Sequence, residues 1–109
     1  MKRVGMIIGI RPEKIEEYKR LHADVWPEVL QGLAGANIRN ISIFLRQPEN
    51  LMVMTWEYHG DDYEADMAKL AEQDATKRWW ALFERIQVPL ESRAEGEHWA
   101  AMEEIFHHD

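Results

Sequence analysis

Apolar positions recur along this chain in two different periods, and the places where the period changes mark its elements. From Val4 to Ile10 the residues are mostly β-branched or small and apolar, ending at Arg11-Pro12, which predicts a strand closed by a turn. Pro12 suits the first turn of a helix, and Glu13, Glu16 and Glu17 favour the positive end of its dipole. Ile15, Tyr18, Leu21, Val25, Val29 and Leu33 then follow at intervals of three or four, one buried helical stripe. The spacing predicts a single long helix to about Gly32, with Pro27 removing one amide bond and bending the rod just after Trp26.

Two β-branched segments follow, Ile38 to Leu45 and Leu51 to Tyr58, joined by the turn residues Gln47-Pro48-Glu49-Asn50, and these predict a hairpin. Strict alternation puts Ile41, Ile43 and Leu45 on one side with Arg39, and Ile38, Asn40, Ser42 and Phe44 on the other, a mixed set that suits a ligand-facing or subunit-facing surface. Asp61 and Glu64 have the spacing of a capping box opening a helix to roughly Ala71. Asp74 reads as a second cap before the stripe Trp79, Leu82, Phe83 and Ile86, which Pro89 ends. After the polar stretch 91–97, Met102 to His108 reads as a last strand. The order strand, helix, strand, strand, helix, strand is the ferredoxin-like βαββαβ arrangement of an α+β protein, helices on one face of an antiparallel sheet. An uncovered sheet face bearing Met6, Ile8, Met52, Met54 and Trp56 would be too apolar for a monomer, so a homodimer is expected. Neither repeats nor linkers divide the chain, which reads as one domain over residues 1–109.

Composition narrows the chemistry. With 46% hydrophobic residues the chain is too apolar for disorder, and its length gives one core with little room for an enclosed cofactor chamber. Zero Cys excludes disulfides, thiolate nucleophiles and Cys-ligated metal, and points to the cytoplasm. A net charge of -7 is the wrong sign for nucleic acid or an anionic membrane surface. No apolar run is long enough to span a bilayer. Five Trp in so short a chain are conspicuous, because indoles make rigid walls for partly apolar ligands.

Tyr18, His22 and Trp26 stand at i, i+4 and i+8, within roughly 80° of one another on a helix, and so form one column. Phenol, imidazole and indole together can transfer protons to a polar ligand, although such a stripe taken alone more often belongs to a core. Trp79 and Trp80 point about 100° apart, so both cannot enter one core pocket, and lining a sugar-sized cleft or covering a dimer seam are the two uses left for the second ring. His107 and His108 would point to opposite faces of a strand, no His spacing suits a metal, and no metal site is expected. There is also no nucleophile elbow and no phosphate-cradling loop.

The strings Glu-Glu-Tyr-Lys-Arg-Leu-His (16–22), Val-Trp-Pro-Glu (25–28), Asn-Ile-Ser-Ile-Phe-Leu (40–45), Lys-Arg-Trp-Trp (77–80) and Glu-Ile-Phe-His (104–107) resemble, in order and interval, the L-rhamnose mutarotase family. The resemblance implies a dimeric α+β barrel that interconverts the α and β anomers of a 6-deoxy sugar without cofactor. It also implies that His22 is the proton donor and that Tyr18, Trp79 and Trp80 contact the sugar. Two departures stand out. Ile41 occupies the position of a sugar-contacting tyrosine, and Val88-Pro89-Leu90-Glu91-Ser92 replaces an Asn-Pro-x-x-x-Pro-like segment. A buried sugar hydroxyl left unpaired costs about 1–3 kcal/mol, so L-fucose or another deoxysugar stays open as the preferred substrate.

Anomer exchange requires one proton to leave the anomeric hydroxyl and another to reach the ring oxygen. The reaction is spontaneous in water, so positioned proton transfer, worth about 10²–10⁴-fold, suffices. The residues by themselves leave two other readings: a small monooxygenase or haem-binding protein on the same dimeric barrel, with His22 as iron ligand or base, and an assembly module whose Trp residues seal a dimer. The ordered strings favour the mutarotase.

Overall fold

The computed structural model describes all residues 1–109. Strand β1 (Lys2–Ile10) leads through a 3-10 turn (Pro12–Lys14) into helix α1 (Ile15–His22), and helix α2 (Pro27–Gly35) follows. The hairpin β2 (Ile38–Arg46) and β3 (Leu51–Tyr58) is succeeded by α3 (Tyr63–Glu72), α4 (Asp74–Leu82) and the short strands β4 (Gln87–Val88) and β5 (Ala100–Met102). The sheet runs β2-β3-β1-β4, with β5 also paired to β1, and every pairing is antiparallel. β4 lies beside Gly9 and Ile10, β5 beside Gly5 to Ile7, so both share the second edge of β1. No helix is long and apolar enough to cross a membrane.

The α+β class and the hairpin with its 47–50 turn are as the sequence predicts. The six-element order is not. The expected long first helix is two, the second helical region is two helices as the Asp74 cap suggests, and the expected last strand at Met102 to His108 is instead β5 at Ala100–Met102, with 103–109 irregular. Pro27 does more than bend the first helix. It takes the N1 position of α2, where a missing amide hydrogen costs nothing, and residues 23–26 separate the two rods. The cap of α3 is Asp62, whose carboxylate accepts from the Ala65 amide, rather than Asp61. Gln73 stands at the N-cap of α4 with no side-chain cap, so Asp74 is the first helical residue. That helix ends at Leu82, before Pro89, which follows β4.

The predicted grouping of Ile41, Ile43 and Leu45 against Ser42 and Phe44 holds, but one extra residue exchanges the sides of Ile38 and Arg39. Between Arg39 and Ser42 the β2–β3 register slips at a bulge, and Asn40 adopts a φ of 52°. Ile38 therefore points to the same side as Ile41, Ile43 and Leu45, toward the helices, while Arg39, Ser42 and Phe44 point away. Met6, Ile8, Met52, Met54 and Trp56 belong to the helix side too: Met6, Ile8 and Met52 are buried there, so these residues are not an uncovered face. The main core packs Ile8, Ile10 and Met52 of the sheet against Ile15 and Tyr18 of α1, Val29 of α2 and Trp79 and Phe83 of α4. A smaller cluster joins Ala36, Ile38, Tyr58 and Leu70. The outward face carries Ile7, Val53, Phe44 and Met102 among Ser42 and Thr55, with Phe44 63% exposed.

Candidate active site

A cavity of about 920 Å³ lies between the inner face of the sheet and α1, α2 and α4. Its wall is mostly apolar, with a few polar groups converging on it, the usual make-up of a small-molecule site. All five residues singled out from the sequence, Tyr18, His22, Ile41, Trp79 and Trp80, border it.

Tyr18 and His22, one turn apart on α1, stack with ring centroids 4.2 Å apart. His22 Nδ1 lies 3.0 Å from the Tyr18 carbonyl oxygen. A carbonyl only accepts, so Nδ1 carries the hydrogen, and in the neutral ring Nε2 keeps its lone pair for a ligand. Burial lowers the His22 pKa from the ordinary imidazole value, opposed by the bond to the Tyr18 carbonyl, which favours the charged ring. The ring is thus held neutral near pH 7, with a base facing outward.

Trp26 falls in the break before α2, so the expected three-residue column does not continue along one rod. It is completed in space by α4. Trp79 meets His22 edge-on at 5.3 Å and Trp26 at 5.1 Å, and Phe83 lies 5.2 Å from His22. The indole pair splits as its angular spacing requires: Trp79 is buried in the core, and Trp80 is 49% exposed. Ile41 reaches the wall beside Ile43 and Leu45, two and four residues further along the same face of β2.

Among the bordering residues that sequence reasoning missed are Thr76, Gln87, His98 and Trp99. Thr76 is fully buried, and its hydroxyl has no protein partner. The Gln87 side-chain nitrogen donates to the Tyr18 hydroxyl at 3.4 Å, and its oxygen is 2.7 Å from His98 Nε2. Burial drives the Tyr18 pKa up to about 12, with the Gln87 bond pulling the other way. Gln87, polar between Ile86 and Val88, was the one local signal, a polar side chain inside an apolar run. His98 had none, since only the loop from β4 to β5 brings it back to the wall. His107 pairs with Asp109 on the surface, and no group of His, Asp and Glu residues has the arrangement of a metal site.

Comparison with known proteins gives the family and the fold. The family model described as L-rhamnose mutarotase matches residues 3–108. An L-rhamnose mutarotase of Lactiplantibacillus plantarum is 31% identical over 109 residues, covering 100% of both chains. One of Bacillus subtilis is 32% identical over 80 residues, 73% of this chain and 74% of that one. Among solved structures, the crystal structure of an L-rhamnose mutarotase from Formosa agariphila superimposes with a TM-score of 0.80 at 22% identity, covering 100% of each chain, and so shares the fold.

Proposed function

The chain belongs to the L-rhamnose mutarotase family of isomerases, and from that premise we propose that it exchanges the anomers of a 6-deoxy sugar with His22 as the proton-transferring group. The observation that carries this reading is the tautomer of His22: Nδ1 is occupied by the Tyr18 carbonyl, and Nε2 is the nitrogen left at a cavity walled by Trp79 and Trp80. In the forward direction Nε2 takes the proton of the anomeric hydroxyl, the C1–O5 pair goes to O5 as O5 takes a proton from a second donor, and the open aldehyde rotates about C1–C2. Reclosure returns the proton, and in the opposite direction the same imidazolium is the donor.

The apolar C–H face of the sugar lies against indole, while the Tyr18 hydroxyl serves its oxygens. Ile41 offers the sugar no hydrogen bond, so the hydroxyl that a tyrosine would meet there is met by none, and L-fucose or another epimer competes with L-rhamnose. A second copy covers the outer sheet face around Phe44, making a homodimer, and a cysteine-free chain suits the cytoplasm.

Saturation-transfer NMR across L-rhamnose, L-fucose and their hydroxyl epimers tests both activity and preference. Wild-type protein is expected to accelerate anomer exchange, and His22→Ala to lose about 10²–10⁴-fold while keeping its circular dichroism. A His22→Ala protein that exchanges anomers like wild type would remove His22 from the chemistry.

A further inference from the structure

The cavity wall holds a second histidine that the reading above leaves without a task. His98, in the loop between β4 and β5, places Nε2 2.7 Å from the Gln87 side-chain oxygen, and the Gln87 nitrogen lies 3.4 Å from the Tyr18 hydroxyl. Residues far apart in sequence thus form one line that ends on the ring stacked against His22. All four border the cavity.

Donor chemistry gives the line its direction. An amide oxygen only accepts, so His98 Nε2 must donate to it. That orientation turns the Gln87 NH₂ toward Tyr18, whose oxygen accepts. The Tyr18 hydrogen then has no protein acceptor and is left for whatever occupies the cavity. Nε2 bears a hydrogen in the neutral donor tautomer and in the imidazolium alike, so the line holds in either charge state of His98. Burial and the Arg93 charge lower its pKa, with Glu84 opposing. The Gln87–Tyr18 contact is long for an N–H···O bond, and catalytic contacts of this kind commonly tighten around substrate.

We propose that Gln87 and His98 are positioning residues that hold the Tyr18 hydroxyl as the proton donor to the sugar's ring oxygen, beside the His22 ring that takes the O1 proton. The assignment rests on the mutarotase reading and supplies its second acid–base group. The step balances: the O1 proton goes to Nε2, the C1–O5 pair goes to O5, and O5 takes the Tyr18 proton. The tyrosinate accepts from Gln87, and reclosure returns both protons.

Anomer-exchange NMR on Gln87→Leu, His98→Ala, His98→Gln and Tyr18→Phe, alone and combined, tests it. Gln87→Leu and His98→Ala are expected to lower kcat about five- to tenfold with KM within about twofold, the loss of one oriented hydrogen bond. His98→Gln, which keeps a donor, is expected to recover most of the rate. In the Tyr18→Phe background neither substitution lowers the rate further. Additive losses in that background, or a raised KM at unchanged kcat, overturn the assignment. His98 is exposed, so His98→Ala carries the same test if Gln87→Leu fails to fold. Without any sugar, the Gln87 side-chain amide resonances are expected to move in Tyr18→Phe and in His98→Ala, and resonances unmoved in both overturn the line itself. Wild-type protein that leaves exchange at its spontaneous rate overturns the mutarotase reading instead, whatever those resonances do.

Discussion

The surroundings of His22 disfavour its charge, as the proposed role of a base requires. Burial lowers its pKa from 6.5, so the native ring takes up its proton at a lower pH than the unfolded chain does. Two consequences share one sign. The kcat/KM of wild type is expected to fall on the acid side with a midpoint below 6.5, read from a pH profile of anomer exchange. Stability associated with His22 is full above the unfolded value and is lost as pH drops from about 6.5 through the native value, so His22→Gln should flatten the acid decline of the melting temperature over that window. Ile41 is the complementary case, an apolar side chain on a wall that must meet hydroxyls. Ile41→Tyr is expected to raise kcat/KM for L-rhamnose about tenfold, an added hydrogen bond worth ~1.4 kcal/mol. Equal gains for every sugar in the panel would show that the new hydroxyl selects none of them.

Elements deliver these residues with little slack. β4 is two residues long, yet it carries Gln87 to the wall, and it can lie against β1 because Gly9 has no side chain. A Cβ at Gly9 would stand 2.8 Å from the Val88 carbonyl oxygen, backbone that cannot turn aside. Gly9→Ala is therefore expected to cost about 1–3 kcal/mol in urea unfolding and to reduce anomer exchange by displacing Gln87. Unchanged stability would mean that β4 has another way to seat itself. The break at 23–26 has a comparable effect on α1 and α2: released from a single rod, Trp26 turns to pack on Trp79. In β2 the extra residue at the bulge, with Asn40 at positive φ and its amide donating to Glu57 at 2.9 Å, brings Ile38 to the same side as Ile41, Ile43 and Leu45.

At the scale of the molecule, the sheet has two apolar faces and four helices to cover only one of them. The helices take the side of Met6, Ile8 and Met52, leaving Phe44 63% and Met102 41% exposed on the other. Such a patch on a small protein is the mark of an interface. Light scattering on wild type is expected to give the mass of two chains, and Phe44→Glu the mass of one; a monomeric wild type would assign that face elsewhere.

The division between what was legible in the chain and what was not follows the range of the forces involved. Strand and helix periods, the 47–50 turn, the Pro27 interruption and the stacking of Tyr18 on His22 depend on residues within one or two turns of each other, and the sequence determines them directly. The family strings likewise point to His22 and the indole pair as a candidate site, and those residues border one cavity. That Ile38 turns inward with Ile41, Ile43 and Leu45 was decided by a single inserted residue, because a slip of one position reverses the side chains on one side of it relative to the other. The approach of Gln87 and His98 to Tyr18, and the choice of Trp79 over Trp80 for the core, exist only once β4, the 89–99 loop and α4 pack against β1 and α1. Such contacts join residues far apart in sequence, and no local period carries them.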